Sequence, residues 1–265
     1  MSRPLPLFRR SMVDGWRGLL GWSIGLAAAL ALYLPIYPSF GGQSEMQALL
    51  DSLPPELIKA LNYDQIATGA GYAQATFYGL IGFVLGTIAA VGWGTDAIAN
   101  DEENGQLELT LAHGVIRGRL IAERSAAVLL KLLWLAALSA LVVLALDEPA
   151  GLGIEVGPLM AISVAWFGLV GLSAAAAIAV GAMTGRRAWA AGAGTGVAVY
   201  AYALNALGNQ SEDLAWLKDW SPYGWAYGDA PLQDGWSPML WWNLAAIAAL
   251  LLVGWLVFRR RDVGV

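Results

Sequence analysis

The sequence predicts an all-α, polytopic membrane protein that crosses the bilayer six times. Of its 265 residues, 58% are hydrophobic and only 13% are charged, a balance too apolar for an ordinary soluble domain. Apolar runs of roughly 20 residues, enough to cross about 30 Å of hydrocarbon, recur along the chain. When these runs are taken as spans, the basic residues fall almost entirely on one side. We therefore expect a single transmembrane domain over residues 1–265.

The first element is an interfacial helix within residues 1–17. Phe8, Met12 and Trp16 recur at a spacing of four, whereas Arg9 and Arg10 point elsewhere. This pattern is typical of an amphipathic helix in the headgroup plane. We expect an anchor in the inner leaflet; a disordered basic tail is the alternative.

Six spans follow, and the fifth has the weakest signal. Gly192, Gly194 and Gly196 lower its helix propensity, and its loss would move the C-terminus to the other side of the membrane. The predicted spans cover residues 18–37, 73–95, 125–146, 157–183, 188–208 and 239–258.

The charges orient this topology. Apart from Lys59 and Lys218, every lysine and arginine falls on the side of the N-terminus. Basic residues concentrate in cytoplasmic loops. We therefore expect a multi-pass protein of the plasma membrane with both termini in the cytoplasm. Lys131 lies about two turns into its predicted span, so we expect it to snorkel to the inner surface. The net charge of −5 argues against nucleic-acid binding.

Two long loops lie on the extracytoplasmic side. Residues 38–72 contain two short amphipathic patterns, 44–50 and 56–61, separated by Pro54 and Pro55. Residues 209–238 are rich in Trp and Tyr, and we expect them to rest on or dip into the outer leaflet.

Glycine pairs at a spacing of four occur inside three spans. Such pairs let membrane helices pack closely and suggest a tight bundle and a dimer. Coincidence is the alternative, because the chain has 32 glycines. The pairs are Gly21/Gly25, Gly82/Gly86 and Gly192/Gly196.

Motifs of nucleotide and nucleophile chemistry are missing or misplaced. No Gly-x-x-x-x-Gly-Lys-Ser/Thr occurs, so the chain has no P-loop, and any ATP-driven work must come from a partner. Gly21-Trp22-Ser23-Ile24-Gly25 matches a nucleophile pattern, and His113 is the only histidine. That pattern requires a strand-to-helix turn, whereas Ser23 sits in a membrane helix and can bond its own backbone. An intramembrane Ser hydrolase remains a minor alternative.

The segment 101–117 carries a cluster of carboxylates between two apolar runs. Acidic side chains this dense must lie outside the lipid, where they meet water or another protein. Apolar and polar residues alternate as in a strand, but good helix formers and acids near its start favour a helix. On a helix, Leu107 and Leu111 share one face. We predict a docking surface; a solvated loop is the alternative.

This segment resembles the signature of type-2 ABC exporter permeases, including antibiotic and multidrug exporters of actinobacteria. Residues 102–111, Glu-Glu-Asn-Gly-Gln-Leu-Glu-Leu-Thr-Leu, are similar to the family's Glu-Glu-x-Gly-x-Leu-Glu-x-Leu-Leu. Leu53-Pro54-Pro55, Ser221-Pro222-Tyr223 and the closing residues 258–262 are also similar to family features, so the resemblance covers nearly the whole chain. Gly114 and Ile116 depart from the usual Pro and Ser.

The resemblance implies a permease subunit without enzymatic activity or a cofactor of its own. Two such subunits, identical or different, would pair, and two cytosolic ABC ATPases holding ATP and Mg²⁺ would grip residues 101–117 as a coupling helix. The implied ATPase-binding residues are Glu102, Glu103, Gly105, Leu107, Glu108, Leu111 and Arg117.

The second and fifth spans line the pathway in similar permeases. This makes Tyr78, Thr87, Tyr200, Tyr202 and Asn205 the candidates for the substrate path, although packing is the alternative role of each. A hydrophobic or amphipathic, antibiotic-like compound would be exported. An ion-coupled secondary transporter, which needs titratable groups near the midplane, and a membrane anchor for a soluble enzyme are the remaining alternatives.

Overall fold

The computed structural model describes residues 5–40, 53–54, 58, 66 and 68–261, and this part of the chain contains helices and no strand. The all-α prediction is therefore confirmed. The predicted helices 44–50 and 56–61 lie outside the described residues, apart from Ile58. The helices are α1 (Pro6–Asp14), α2 (Trp16–Tyr33), α3 (Gly69–Ala97), α4 (Ala99–Glu103), α5 (Gln106–Ala112), α6 (Arg117–Ala150), α7 (Val156–Thr184), α8 (Arg187–Gly208), α9 (Pro222–Tyr227), α10 (Pro231–Asp234) and α11 (Leu240–Arg260).

Five helical stretches are long and apolar enough to cross a membrane. They are Trp16–Ser39, where a 3₁₀ turn extends α2, together with α3, α6, α7 and α11. Helix α8 has 22 residues but is not among the five, because its glycine, tyrosine and asparagine residues dilute its hydropathy. It corresponds to the predicted fifth span, the one with the weakest signal.

Helix α7 is the centre of the bundle. It packs against α3, α6, α8 and α11, and 83% of its most apolar stretch is buried. A helix that is apolar on all sides is expected in such a position. The tightest approach is made by α3: a Cβ added to Gly86 would lie 2.4 Å from a ring carbon of Trp166. Gly86 therefore lets the two helices meet.

Among the described residues, the other paired glycines do not make such contacts between helices. An added Cβ at Gly21, Gly25, Gly192 or Gly196 would meet no heavy atom within 4 Å. These glycines lie on the outer surface of the bundle. The Gly82 position is closed by Phe77 of the same helix.

A π-helical stretch, Gln74–Ile81, interrupts α3 near its start. Wider turns of this kind weaken the regular backbone ladder and expose carbonyl groups. Two tyrosines of α9 bond these carbonyls: Tyr223 Oη donates to Gly79 O at 2.8 Å, and Tyr227 Oη donates to Tyr78 O at 3.0 Å. Burial raises the pKa of Tyr227, so its hydroxyl stays protonated and can donate.

The loop 209–238 is thus partly inside the protein, because α9 packs among the long helices; that the loop rests on or dips into the outer leaflet stays a prediction. Ser221 begins that helix, accepting from Gly224 N at 3.0 Å and donating to Ala201 O at 2.6 Å. The polar backbone of α9 is satisfied by neighbouring helices, which permits its burial. Three of the four tryptophans of the loop stay exposed, namely Trp216, Trp220 and Trp236, and Trp225 of α9 is half-buried.

Candidate functional site

Two short helices, not one, form the predicted docking segment. Helix α4 ends at Glu103 and α5 begins at Gln106, with Gly105 between them at φ +69°. Glycine adopts this left-handed conformation at little cost, so it allows the chain to turn between the helices. Polar and apolar residues alternate over 104–112 as they would in a strand, but the structure has the helix α5 there, which continues to Ala112.

The acidic residues at the start of the segment bind other parts of the same chain. Glu102 forms an ion pair with Arg261, and Glu103 Oε1 accepts from the backbone N–H of Arg187 at 2.8 Å. The expectation that both glutamates lie in water is wrong for Glu102, whose side chain is only 14% exposed. Packing of the last helix against α4 removes it from solvent.

Further contacts extend this network at what we call the basic end of the bundle, where Arg124, Arg187 and Arg261 meet the 101–117 segment. Arg124 lies 2.6 Å from Asp101 and donates to Ala97 O at 2.7 Å. Arg261 also donates to Ala182 O at 2.7 Å, while Arg117 donates to the Arg261 carbonyl. The segment is thereby fastened to the ends of α3, α6, α7, α8 and α11.

The apolar residues of α5 divide between the bundle and the solvent. Leu107 is 0% exposed, and Leu111 packs against the same core. The expectation that these two leucines face a partner is therefore not met: they hold α5 onto this chain. Leu109, 65% exposed, and Ile116, 73% exposed, are the apolar side chains that face outward, next to the exposed Glu108.

The N-terminal helix is tied to α6 by one buried carboxylate. Glu123 Oε2 accepts from the backbone N–H groups of Leu7 at 2.8 Å and Phe8 at 2.9 Å, and Oε1 accepts from Arg119 at 2.5 Å. These are unpaired N–H groups of the first turn of α1, which favour a negative charge. Sequence reasoning missed Glu123; the available signal was an acid one turn after Arg119 in a basic stretch.

A cavity of about 960 Å³ opens at the basic end, between α1, α3, α5 and α6. Lys131 lines it and is only 4% exposed, its Nζ 5.5 Å from the centroid of the Trp93 ring. The expectation that Lys131 snorkels to the surface is not met. Helix α6 begins at Arg117 rather than near residue 125, so Lys131 lies about four turns from its start.

The residues predicted for the substrate path do not line this cavity. Tyr78 and Thr87 are buried, and the Thr87 hydroxyl has no hydrogen-bond partner among the described residues. Tyr202 packs on Tyr223 with ring centroids 5.5 Å apart. Asn205 is buried, whereas Tyr200 is half exposed on the bundle surface. The structure thus places Tyr78, Thr87, Tyr202 and Asn205 in or against the core and Tyr200 on the outside.

The structure does not bring Ser23 and His113 together. Ser23 Oγ donates to Leu19 O at 2.7 Å and accepts from Trp134 Nε1 at 3.1 Å. The His113 ring lies against Leu109 O at 2.6 Å. Within the described ranges, no group of three or more His, Asp or Glu side chains could hold a metal ion.

The sequence profile of the family described as "Multidrug efflux system permease Rv1217c, C-terminal domain" matches residues 3–259. None of the curated proteins matches the chain. The match spans the interfacial helix, every candidate membrane helix and the 101–117 segment. The chain therefore belongs to this family of efflux permeases, in keeping with an ABC-2 exporter permease.

Proposed function

We propose that this chain is the transmembrane subunit of an ATP-driven exporter. A separate ABC ATPase, which holds ATP and Mg²⁺, docks on residues 101–117. The substrate is a hydrophobic or amphipathic small molecule, antibiotic or drug-like, moved out of the cell. The family match supports the permease role; the identity of the motor and the class of cargo are our proposals.

The observation that carries this proposal is the way α4 and α5 are attached. Glu102, Glu103 and Asp101 bind Arg261, the backbone of Arg187, and Arg124. A force applied to the exposed side of α5 would therefore reach the ends of several long helices at once. Such a rigid connection is what a coupling element needs, since packed elements switch between discrete arrangements.

The residues left for the ATPase differ from those expected from the sequence. Leu109 and Ile116 supply exposed apolar area, and Glu108 supplies charge for orientation. Glu102, Glu103, Leu107, Leu111 and Arg117 hold the segment in place. In this proposal they act on ATPase binding through the shape of the segment.

We propose that α8 is the sixth span. Its first residue lies at the basic end, where Arg187 N bonds Glu103, and Gly208, its last residue, packs near Lys218. Its 22 residues reach about 33 Å at 1.5 Å each. The ends of the described chain, marked by the Leu7–Glu123 and Arg261–Glu102 contacts, share the basic end, which requires an even number of crossings. By the positive-inside rule this end is cytoplasmic, so both termini lie there in a plasma-membrane protein.

A second permease subunit, of the same or another sequence, completes the transporter in this proposal. The outward Gly192 and Gly196 of α8, beside the exposed Val199 and Tyr200, form a surface suited to close helix packing. Tyr200 would then reach the pathway from the subunit boundary, while Tyr78, Thr87, Tyr202 and Asn205 line or support it from within.

Reconstituted transport tests the proposal. The chain, its candidate ATPase and a fluorescent amphipathic dye are placed in proteoliposomes, and dye movement is followed with ATP or a non-hydrolysable analogue. We expect dye movement with ATP and none with the non-hydrolysable analogue. We also expect the dye to stimulate ATP hydrolysis. The variant Ile116→Asp should abolish both activities, whereas Glu148→Gln, on an exposed site distant from the segment, should not. Dye movement by the chain without an ATPase would overturn the proposal.

An ion-coupled secondary transporter is the second candidate, favoured by one observation. Lys131 is 4% exposed within a membrane helix, and Asp96 interacts with it electrostatically. Titratable pairs of this kind occur in proton relays. Transport that requires a proton gradient, and that is lost in Lys131→Gln without ATP being needed, would establish this mechanism instead.

A further inference from the structure

The cavity at the basic end contains one ammonium group, that of Lys131, with which Asp96 and Asp14 interact only from beyond 4.0 Å. Two ion pairs in its wall are already formed: Arg10 with Asp14 at 3.3 Å and Arg124 with Asp101 at 2.6 Å. Among the described residues, no carboxylate oxygen lies within 4.0 Å of Lys131 Nζ. Burying a charge without a partner costs free energy. A ligand that brings a hydrogen-bond acceptor to this ammonium would offset that cost.

The surroundings hold Lys131 in position for such an acceptor. Its Nζ faces the Trp93 ring at 5.5 Å, and an added Cβ at Gly15 would lie only 2.4 Å from it. The ammonium therefore fits against bare backbone between α1 and α2. Asp96, which also lines the cavity, is exposed and is the other charged side chain of the described wall with no ion pair within 4.0 Å.

The cavity combines these two charges with an apolar wall. Leu7, Val115, Val128 and Leu109 contribute hydrocarbon, and a volume of about 960 Å³ lies within the usual range for small-molecule sites. Helix α1, fixed by Glu123, forms one side. If α1 lies in the headgroup plane, the cavity opens at the depth of the inner-leaflet headgroups.

We propose that this cavity binds a zwitterionic amphiphile. Its anionic group accepts hydrogen bonds from Lys131, its cationic group meets Asp96, and its apolar portion lies along the hydrocarbon wall. The overall charge of the lining, three acids against three bases apart from His113, matches a ligand without net charge. The proposal rests on the proposed permease function only for its orientation in the membrane, and it names the class of molecule that first enters the protein.

Binding to the purified full-length chain, without an ATPase, tests this proposal. Calorimetric titration would use three soluble probes with the same alkyl chain: hexylphosphocholine, hexyl phosphate and hexyltrimethylammonium. We expect wild type to bind the zwitterion most tightly, by about tenfold over the cation. Lys131→Gln should weaken zwitterion binding by about tenfold, which corresponds to about 1.4 kcal/mol. Lys131→Arg should stay within about threefold, and Lys218→Gln, a lysine at the opposite end, should match wild type.

Asp96→Asn provides the second arm, because it removes only the negative charge. We expect its preference to change from hexylphosphocholine to hexyl phosphate. Equal affinity of wild type for all three probes, or unchanged zwitterion binding in a folded Lys131→Gln, would overturn the proposal. A melting temperature of Lys131→Gln close to that of wild type excludes loss of fold as the cause of its weaker binding.

The natural source of the zwitterion is identified by lipid mass spectrometry on the same samples. Phosphatidylethanolamine that co-purifies with wild type and is lost in Lys131→Gln would identify a membrane lipid. Equal lipid content in both, with discrimination between the hexyl probes retained, would identify a free amphiphile. Loss of ATPase co-purification in Lys131→Gln with unchanged zwitterion binding would make the cavity a protein-docking pocket and refute the ligand site. Because no ATP is used, failure of ATP-driven transport would leave the binding result unaffected.

Discussion

The carboxylate of Glu102 pairs with the guanidinium of Arg261, a residue 159 positions later in the chain. The pair joins the short helix α4 to the end of the last long helix. Both side chains are mostly buried, 14% and 20% exposed, so the charges are only partly screened by water. The acidic residue that most resembles a partner contact in the sequence is therefore part of the internal structure.

Glu102→Lys should destabilise the bundle. It places two cations together at a partly buried site, and we expect a loss of about 1–3 kcal/mol, measured as a lower melting temperature in detergent. The exchange Glu102→Arg with Arg261→Glu should recover much of the loss. Glu108→Lys, at an exposed position of the same segment, should melt like wild type. Equal melting of Glu102→Lys and wild type would contradict the ion pair.

Ile116→Asp should weaken ATPase association without affecting stability. The side chain is 73% exposed and contributes apolar area only if a partner covers it. Co-purification of an ATPase with the tagged chain measures the effect. Leu107→Ala is the contrasting variant: Leu107 is fully buried, so we expect about 2–5 kcal/mol of lost stability. Retained ATPase binding by Ile116→Asp would remove this surface from the docking site.

Tyr223→Phe should destabilise the protein by about 1–3 kcal/mol, because the carbonyl of Gly79 in the π-helical stretch loses its buried donor. Thermal melting of the purified chain measures the loss. Tyr200→Phe removes a hydroxyl from a half-exposed ring and should have little effect. If both variants melt alike, the Tyr223 hydrogen bond does not contribute to stability.

Glu123→Ala should release α1 from α6. The backbone N–H groups of Leu7 and Phe8 lose their acceptor, and the first turn of α1 loses a favourable charge. Hydrogen–deuterium exchange should show faster exchange in residues 6–14 and little change in α7. Glu148→Ala, an exposed glutamate on the same helix, is the control and should leave α1 protected. Unchanged exchange in α1 would show that other contacts suffice to hold it.

Gly86→Ala should destabilise the centre of the bundle, because the new methyl group would lie 2.4 Å from the Trp166 ring. Overpacking of this kind costs about 1–3 kcal/mol. Gly92→Ala, on the same helix, meets no atom within 4 Å and should be neutral or slightly stabilising, since alanine favours helices. Comparing the two melting temperatures separates the cost of the clash with Trp166 from the effect of alanine on helix propensity.

The sequence predicted the long helices well, because hydrophobic length and charge placement depend on the membrane rather than on tertiary contacts. The predicted third span begins at residue 125, whereas helix α6 begins eight residues earlier, at Arg117. The charged residues 117–124 resemble a loop, but they form helical turns beyond the apolar run. The span prediction alone gave no sign of the cavity beside Lys131.

Which residues of the 101–117 segment face away from the bundle could not be deduced from spacing alone. Leu107 and Leu111 do share a face of α5, as predicted, but that face packs on the bundle. Helical periodicity tells which residues lie together and not which side meets solvent. The same limit applies to Glu102 and Arg261, since contacts between distant parts of a chain depend on how the helices pack.

The closing ion pair has a practical consequence for labelling. Because Arg261 touches α4, a fluorescent reporter or affinity tag fused directly after it would start next to the 101–117 segment and hinder docking of the proposed ATPase. A long flexible tether would relieve that hindrance. Labels placed on the tryptophan-bearing loop at the far end, near Trp236, would avoid it altogether.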